Sequence, residues 1–262
     1  MIPRGYIDAW RDYAPWRTDA MVEQDLIICR CLAAIYSNPS LAEKFAFRGG
    51  TALNKLYFQP SRRYSEDIDL VQIKPGPIGL HINAIRESIN FGMEEPLRKQ
   101  GNGMVTLTYR FKSEIPPIIP LKLKVEINTR EHFTSFGLIQ KDFSIHSPWW
   151  SGQTRVVTYS LDELLGTKLR ALYQRRKGRD LFDLWLGLTE GNVHPENIVQ
   201  SFKMYMQHSG TSVSRKEFLT NLAEKKKHPT FLSDMSDLLP SGLDFKSESA
   251  FHLIEEKLIA LL

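Results

Sequence analysis

The sequence predicts an α+β protein, a mixed β-sheet core with flanking helices followed by a helical C-terminal part. Three observations carry the prediction. Short strand-like segments at 45–48, 67–73, 104–111, 121–128 and 155–159 are interleaved with helical patterns over the first 160 residues. Beyond Pro195 the spacing is helical almost throughout. No internal repeat or low-complexity stretch breaks this order. Mixed elements followed by helices are the α+β pattern, and the expected division is 1–160 for the core with its N-terminal helices and 161–262 for a mainly helical domain.

The elements follow in order. Val22, Leu26, Ile27, Cys29, Leu32, Ala33 and Ile35 recur at helical spacing, so the first 45 residues read largely as helix. Segment 45–48 is a short strand ending at Gly49-Gly50, and 51–57 makes one or two helical turns with Leu53 and Leu56 as their apolar face. Segment 67–73 alternates as a strand does, and Lys74-Pro75-Gly76-Pro77 ends it. A helix is expected over 80–99 from Ile82, Ile85 and Ile89, then strands at 104–111 and 121–128 on either side of a proline-rich stretch at 116–120. After a short strand at 155–159, Ser160 and Glu163 match a capping box, opening a helix whose buried stripe is Leu161, Leu164, Leu165, Leu169 and Leu172. Lys177-Gly178 ends it, Arg179 opens another helix through Leu188, and Ser214 with Glu217 forms a second capping box.

A chain of 262 residues can bury a substantial core. It has no run near the ~18 apolar residues that cross a bilayer, and its first residues, MIPRGYIDAWRDY, lack the apolar segment of a secretory signal. A cytoplasmic protein without a membrane partner is therefore expected. The two cysteines, Cys29 and Cys31, point in different directions on a helix and have no further cysteine with which to build a zinc site, so they read as reduced structural thiols. The net charge of +4 says little. Its clusters say more: Arg170, Arg175, Arg176, Lys177 and Arg179 fall together, as do Lys225, Lys226 and Lys227. The ordinary outcome for such runs is a solvated face, and a basic rim beside a cleft suits a polyanion such as nucleic acid.

The chemistry concentrates between Gly49 and Asp69. Asp67 and Asp69 flank Ile68 on a strand, so both carboxylates project from one face and repel unless a cation sits between them. Mg²⁺ is held in this way, by one or two carboxylates plus substrate phosphates. Alone, the pair fits a solvated strand end better than a site. Gly49 and Gly50, between a strand and a helix start, let backbone N–H groups approach an anion, and Thr51 adds a hydroxyl there. Together the two features favour a nucleotide-phosphate site. In LKLKVEIN, Glu126 shares a face with Lys122, Lys124 and Asn128, which suits a third carboxylate ligand and a half-exposed strand equally.

A Gly-Gly turn, a helix and Asp67-Ile68-Asp69-Leu70 resemble the motif of the DNA polymerase β-like nucleotidyltransferase superfamily. More narrowly, GGTALNKLYF, RRYSEDIDL and ELLGTKLRALYQRRKGRDLFDLW, in that order over roughly residues 45–190, resemble the AbiEii/AbiGii toxin family of abortive-infection and toxin–antitoxin systems. The resemblance implies a nucleotidyltransferase-type sheet core. It assigns Asp67 and Asp69 to the metal, Mg²⁺ with Mn²⁺ as the alternative ion, and Gly49, Gly50 and Thr51 to the phosphate turn. Ser65 falls at the hydroxyl position before the first Asp, Lys168 at the family's lysine, and Asp180 and Asp183 at its terminal acidic motif, with Asp183 as the catalytic member. Lys168 and Asp183 are expected to reach the cleft from the C-terminal domain. Asp180, nearer the helix start, also suits a role as a dipole-favouring acid.

The activity implied by the resemblance is transfer of a nucleotide from an NTP to an acceptor, with the 3′ end of tRNA foremost. Arg175, Arg176, Lys177 and Arg179 would meet the acceptor's phosphates, and Glu126 or Asp183 would take its proton. A protein or small-molecule hydroxyl as acceptor keeps the fold, and a non-catalytic partner-binding scaffold is the third reading. A cognate antitoxin is an expected partner. Ser65 is a place to silence such an enzyme, since a phosphate there adds about −1.5 to −2 charges beside two aspartates.

Overall fold

The computed structural model describes residues 2–243 and 245–262. They fall into two compact units: the chain up to Phe133 with Leu138–Thr158, and Thr134–Gly137 with Tyr159–Leu262.

In the first unit, helices α1 (Arg4–Trp10), α2 (Asp19–Ser37) and α3 (Pro39–Ala42) precede strand β1 (Phe45–Arg48). Then come α4 (Gly49–Leu56), β2 (Asp67–Gln72), α5 (Gly79–Ser88) and strands β3 (Leu97–Gly101), β4 (Met104–Lys112), β5 (Pro120–Asn128), β6 (Leu138–His146) and β7 (Ser151–Tyr159). The strands form one sheet in the order β3-β4-β5-β2-β1-β7-β6. Strand β2 lies inside it, antiparallel to β1 and parallel to β5. Ile68 and Leu70 of β2, Leu123, Val125 and Ile127 of β5 and Val105 and Leu107 of β4 are all buried, the face that alternation assigns to the core.

Helix α2 opens at Thr18, whose side chain accepts from the Met21 N–H, and it buries three polar residues in succession, Glu23, Gln24 and Asp25. Each has a cross-chain task that periodicity does not reveal. Gln24 donates to the carbonyls of Glu66 and Lys122, tying the entry of β2 to β5. Asp25 accepts from the indole N–H groups of Trp10 (2.9 Å) and Trp16 (3.0 Å) and pairs with Lys55 (2.6 Å). Removal of one partner from such a buried set costs more than the pair itself contributes. Cys29 and Cys31 are buried, and burial raises both thiols, Cys29 to about 12, so neither is a thiolate at neutral pH.

Three expectations are corrected here. The helix expected over 80–99 ends at Ser88, and Leu97–Gly101 is instead an edge strand. All five of its residues are exposed, so no alternation marks it, and Arg98 and Lys99 blunt the open edge. Its hairpin to β4 turns at Asn102 (φ 50°) and Gly103 (φ 70°), the left-handed pair that an Asn-Gly turn supplies. Strand β6 went unpredicted, and β7 starts at Ser151 rather than Arg155, because their outer halves are largely exposed.

The second unit holds α6 (Leu161–Gln174), α7 (Gly178–Glu190), α8 (Pro195–His208), α9 (Arg215–Lys226), α10 (Pro229–Ser233), α11 (Ser247–Lys257) and a 3₁₀ turn, Ile259–Leu261. The capping box at Ser214 and Glu217 is complete. At Ser160 only half of it forms: Ser160 accepts from the Glu163 N–H, but the Glu163 carboxylate turns inward. There it accepts from the Thr134 hydroxyl (2.7 Å), the N–H groups of Ser135 (2.8 Å) and Phe136 (3.2 Å) and the Tyr205 hydroxyl (2.9 Å). This fully buried carboxylate is what draws residues 134–137 into the helical unit. The lysine run 225–227 is likewise no solvated face at its first member. Lys225 is 3% exposed and donates to the Leu172 and Tyr173 carbonyls and to Asn221 Oδ1, capping the C-terminal end of α6. Burial lowers its ammonium to about 8, which leaves it charged at neutral pH.

Glu23 gives a pH test of the core. Its Oε2 accepts from the Glu114 N–H, its Oε1 has no partner, and burial raises the carboxyl to about 7. A folded-state value above the unfolded one means that this stabilisation is fully present below the unfolded value of 4.5 and lost as pH rises through about 7. Urea denaturation at pH 5 and pH 8 should show a wild-type loss of about 1–3 kcal/mol. Glu23→Gln, which keeps the acceptor but cannot ionise, should flatten that loss.

Candidate functional site

Two polar constellations stand out, one in each unit. In the first, Asp67 and Asp69 project from the β2 face opposite Ile68 and Leu70, and both are half-buried. In the parallel ladder Asp67 pairs with Lys124 and Asp69 with Glu126, while in the antiparallel one Asp69 pairs with Arg48. The sheet register thus lines up three acids and two bases on one face. Arg48 is held by Glu131. Lys124 is exposed and is the positive charge that acts on Asp67.

The glycine turn is pressed onto these carboxylates. Gly49 has φ +82°, and a Cβ there would lie 2.1 Å from Asp69 Oδ2, so only glycine fits on both conformational and steric grounds. A Cβ on Gly50 would lie 2.0 Å from an Arg63 terminal nitrogen. Arg63 is 2% exposed, donates to the Tyr64 carbonyl and places a guanidinium against the first turn of α4. That fixed charge adds to the positive end of the helix, whose first N–H groups have no intrahelical acceptor. Asn54 clamps the arrangement by accepting from the Arg62 and Arg63 N–H groups and donating to the Gly50 carbonyl.

The Thr51 side chain is engaged within the fold. Its hydroxyl is buried and donates to the Asp67 carbonyl at 2.5 Å. Having one proton, it must accept from the Ser65 hydroxyl, 2.7 Å away. Both hydroxyls therefore position β2, and only the Thr51 backbone belongs to the turn.

A divalent cation suits this donor set. Burial raises Asp67 to about 6, Lys124 opposes the rise, and Asp69, Glu126 and Glu66 add to it. A hard cation relieves that crowding. Among the described residues no three His, Cys, Asp or Glu side chains form a ready-made metal site. Asp67 and Asp69 supply two carboxylates, a number that suits Mg²⁺ when substrate phosphates complete its shell.

The second constellation is a buried ion network. Lys168 Nζ lies 3.1 Å from Asp180 Oδ1 and 2.9 Å from Asp183 Oδ2, and both aspartates are fully buried. Arg175 grips Asp180 with Nε (2.7 Å) and a terminal nitrogen (2.9 Å). Burial alone would raise Asp180, yet Lys168 and Arg175 outweigh it and bring the carboxyl down to about 2. Asp180 is thus the hub of the network rather than a surface acid favouring a helix dipole. Lys168 is itself only 5% exposed.

The basic segment divides in consequence. Arg175 is committed to Asp180, and Lys177 lies 3.6 Å from Asp234. Arg179 is half-buried, and its N–H donates to Asp234. Arg176 is exposed. Sequence reasoning missed Arg63, Asn54, Lys124 and Gln24. For Lys124 the signal was present, since it shares a strand face with Glu126. For Arg63 and Asn54 none was, because their contacts depend on the path of the loop from α4 to β2.

A family model described as "Nucleotidyl transferase AbiEii toxin, Type IV TA system" matches residues 30–256. No curated protein sequence matches the chain. Among solved structures, MenT4, a nucleotidyltransferase toxin of Mycobacterium tuberculosis H37Rv, superposes with a TM-score of 0.62 at 14% identity, covering 100% of this chain and 99% of that one. JHP933 of Helicobacter pylori superposes with a TM-score of 0.54 at 17% identity, covering 92% of this chain and 94% of that one. At these identities the likeness is one of fold. Among the described residues no helix is long and apolar enough to cross a membrane.

Two substitutions probe the constellations. Gly49→Ala should lower thermal stability by about 1–2 kcal/mol from its left-handed backbone, and displacement of Asp69 should weaken fluorescent-NTP binding at least tenfold. Asp180→Asn should cost about 1–3 kcal/mol by leaving the buried Lys168 with Asp183 alone and the exposed Arg175 without its charged partner. Because the Asp180 carboxyl is depressed, its stabilisation is present above the unfolded value of 3.8 and lost as pH falls towards about 2. Acid denaturation of the variant should lack that component.

Proposed function

Because this chain belongs to the AbiEii nucleotidyl transferase toxin family of type IV toxin–antitoxin systems, we propose that it carries out Mg²⁺-dependent transfer of a nucleotide from an NTP to the 3′-terminal hydroxyl of an RNA, tRNA foremost. The observation that supports this reading best is the glycine turn packed onto Asp69, a backbone open to phosphate oxygens beside carboxylates suited to a cation. The acceptor oxygen bonds to the α-phosphorus, the α–β anhydride bond breaks, and pyrophosphate leaves. A divalent cation held by Asp67 and Asp69 would supply Lewis-acid stabilisation of the charge that develops on the transferred phosphoryl group.

The chain's own groups do the rest. Asp67 and Asp69 hold the cation. The Gly49–Thr51 backbone, with Arg63 against it, receives phosphate oxygens through preorganised donors. Lys168 supplies a cation for the leaving pyrophosphate, kept in place by Asp180 and Asp183. Glu126 is the better acceptor for the hydroxyl proton, since it is half-buried whereas Asp183 is fully buried. The exposed Arg176 favours a polyanionic acceptor over a small molecule. An antitoxin partner in the cytoplasm completes the reading.

The test is incorporation of labelled NTP into total tRNA, protein and small molecules in parallel. Label should enter tRNA and vanish on chelation of divalent metal. Asp67→Ala and Asp69→Ala should lower the rate by at least 10³-fold, which is about 4 kcal/mol of transition-state stabilisation, and Lys168→Ala by at least tenfold. Undiminished Asp67→Ala activity overturns the mechanism, and label confined to protein or small molecules overturns the acceptor.

A further inference from the structure

Within the helical unit a cavity of about 750 Å³ opens between the C-terminal end of α6 and the outer face of α9. Its lining combines one aromatic ring, Tyr173, with the charged side chains of Arg176, Lys216, Glu217, Glu224 and Lys225. The charges are not equivalent. Glu217 is engaged by Ser214 through both its N–H and its hydroxyl, and Glu224 is paired with Lys227 at 2.8 Å. Lys225 is turned onto the α6 carbonyls. The side chains of Arg176 and Lys216 make no hydrogen bond or ion pair among the described residues, and both residues are exposed. The charge left available at the rim is therefore positive.

The floor is built as well. Tyr173 is partly exposed and is backed by Phe218, with ring centroids 5.3 Å apart. Asn221 turns its Oδ1 to the Lys225 ammonium at 2.5 Å, which fixes the orientation of its amide. Its NH₂ is left as an oriented donor with no partner among the described residues. An aromatic face, a fixed amide donor and two unpaired cations at a cavity mouth are what a nucleotide needs: a stacking surface, an edge contact and phosphate contacts.

We propose that this cavity takes an unstacked base of the single-stranded RNA acceptor, with the base on Tyr173, its edge at the Asn221 amide and flanking phosphates at Arg176 and Lys216. The proposal rests on the reading that the acceptor is RNA and adds where the chain grips it. Arg176 directly follows Arg175, which Asp180 holds, so the cavity rim is anchored through one peptide bond to the Lys168 network. Lys225 serves both features, since it caps α6 and orients Asn221.

The experiment measures labelled-nucleotide transfer to tRNA with the full chain, varying RNA and NTP separately. Tyr173→Ala should raise the RNA KM roughly tenfold, in line with the loss of one stacked base, while the NTP KM keeps its wild-type value and Tyr173→Phe behaves as wild type. Arg176→Glu with Lys216→Glu, both exposed and so without risk to folding, should raise the RNA KM and flatten its salt dependence. Photocrosslinking to 4-thiouridine-substituted RNA should map to the 173–176 and 216–225 peptides. Wild-type RNA kinetics in both variants, with crosslinks elsewhere, overturns the cavity assignment while leaving the acceptor reading intact. A wild-type protein that labels no RNA overturns both.

Discussion

The first unit depends on the register of strand β2. Asp67 and Asp69 share a face only because β2 runs extended, and that face lines up with Lys124 and Glu126 only because the parallel ladder pairs 67 with 124 and 69 with 126. A slip of one residue would bury both carboxylates and expose Ile68 and Leu70. Several buried groups hold that register. Gln24 bridges the carbonyls of Glu66 and Lys122, and Thr51 ties the Asp67 carbonyl to α4. The glycine turn depends on the same constraint, since Gly49 can lie against Asp69 only while Arg48 pairs with Asp69.

Buried polar groups recur in both units and are engaged by several partners at once. Asp25 gathers two indoles and Lys55, Glu163 gathers residues 134–136 and Tyr205, and Asp180 gathers Lys168 and Arg175. Satisfied networks of this kind define a unique arrangement, and their partial loss is costly in a low-dielectric interior. The Lys168 network therefore does structural work whatever else it does. A lysine held between two aspartates is a charge in a defined place, which a surface lysine is not.

How much was legible can be judged residue by residue. Asp67, Asp69, Gly49 and Gly50 were legible because a two-residue period and a glycine pair between strand and helix have few physical readings. The complete capping box at Ser214 was legible for the same local reason. The half box at Ser160 misled, because Glu163 had stronger partners than its own helix end. Edge strand β3 was invisible because exposed strands carry no alternation, although Asn102-Gly103 was a hairpin signal left unread. Lys225 was hidden inside a charge run, where composition suggested a solvated face and the C-terminal carbonyls of α6 claimed the first ammonium.

The sequence by itself determined the chemistry available: a same-face carboxylate pair and a glycine turn, recognisable from spacing and residue type, and a Lys168, Asp180 and Asp183 segment, marked by the family resemblance. It also determined the α+β class, because hydrophobic periodicity is a local property. Only the tertiary structure decided what those groups face. Arg63 beneath Gly50, Thr51 on the Asp67 carbonyl, Arg175 on Asp180 and Lys225 beside Asn221 are contacts across loops and between helices. Their partners are chosen by packing and by the cost of burying an unpaired polar group, and neither is written in the local order of residues.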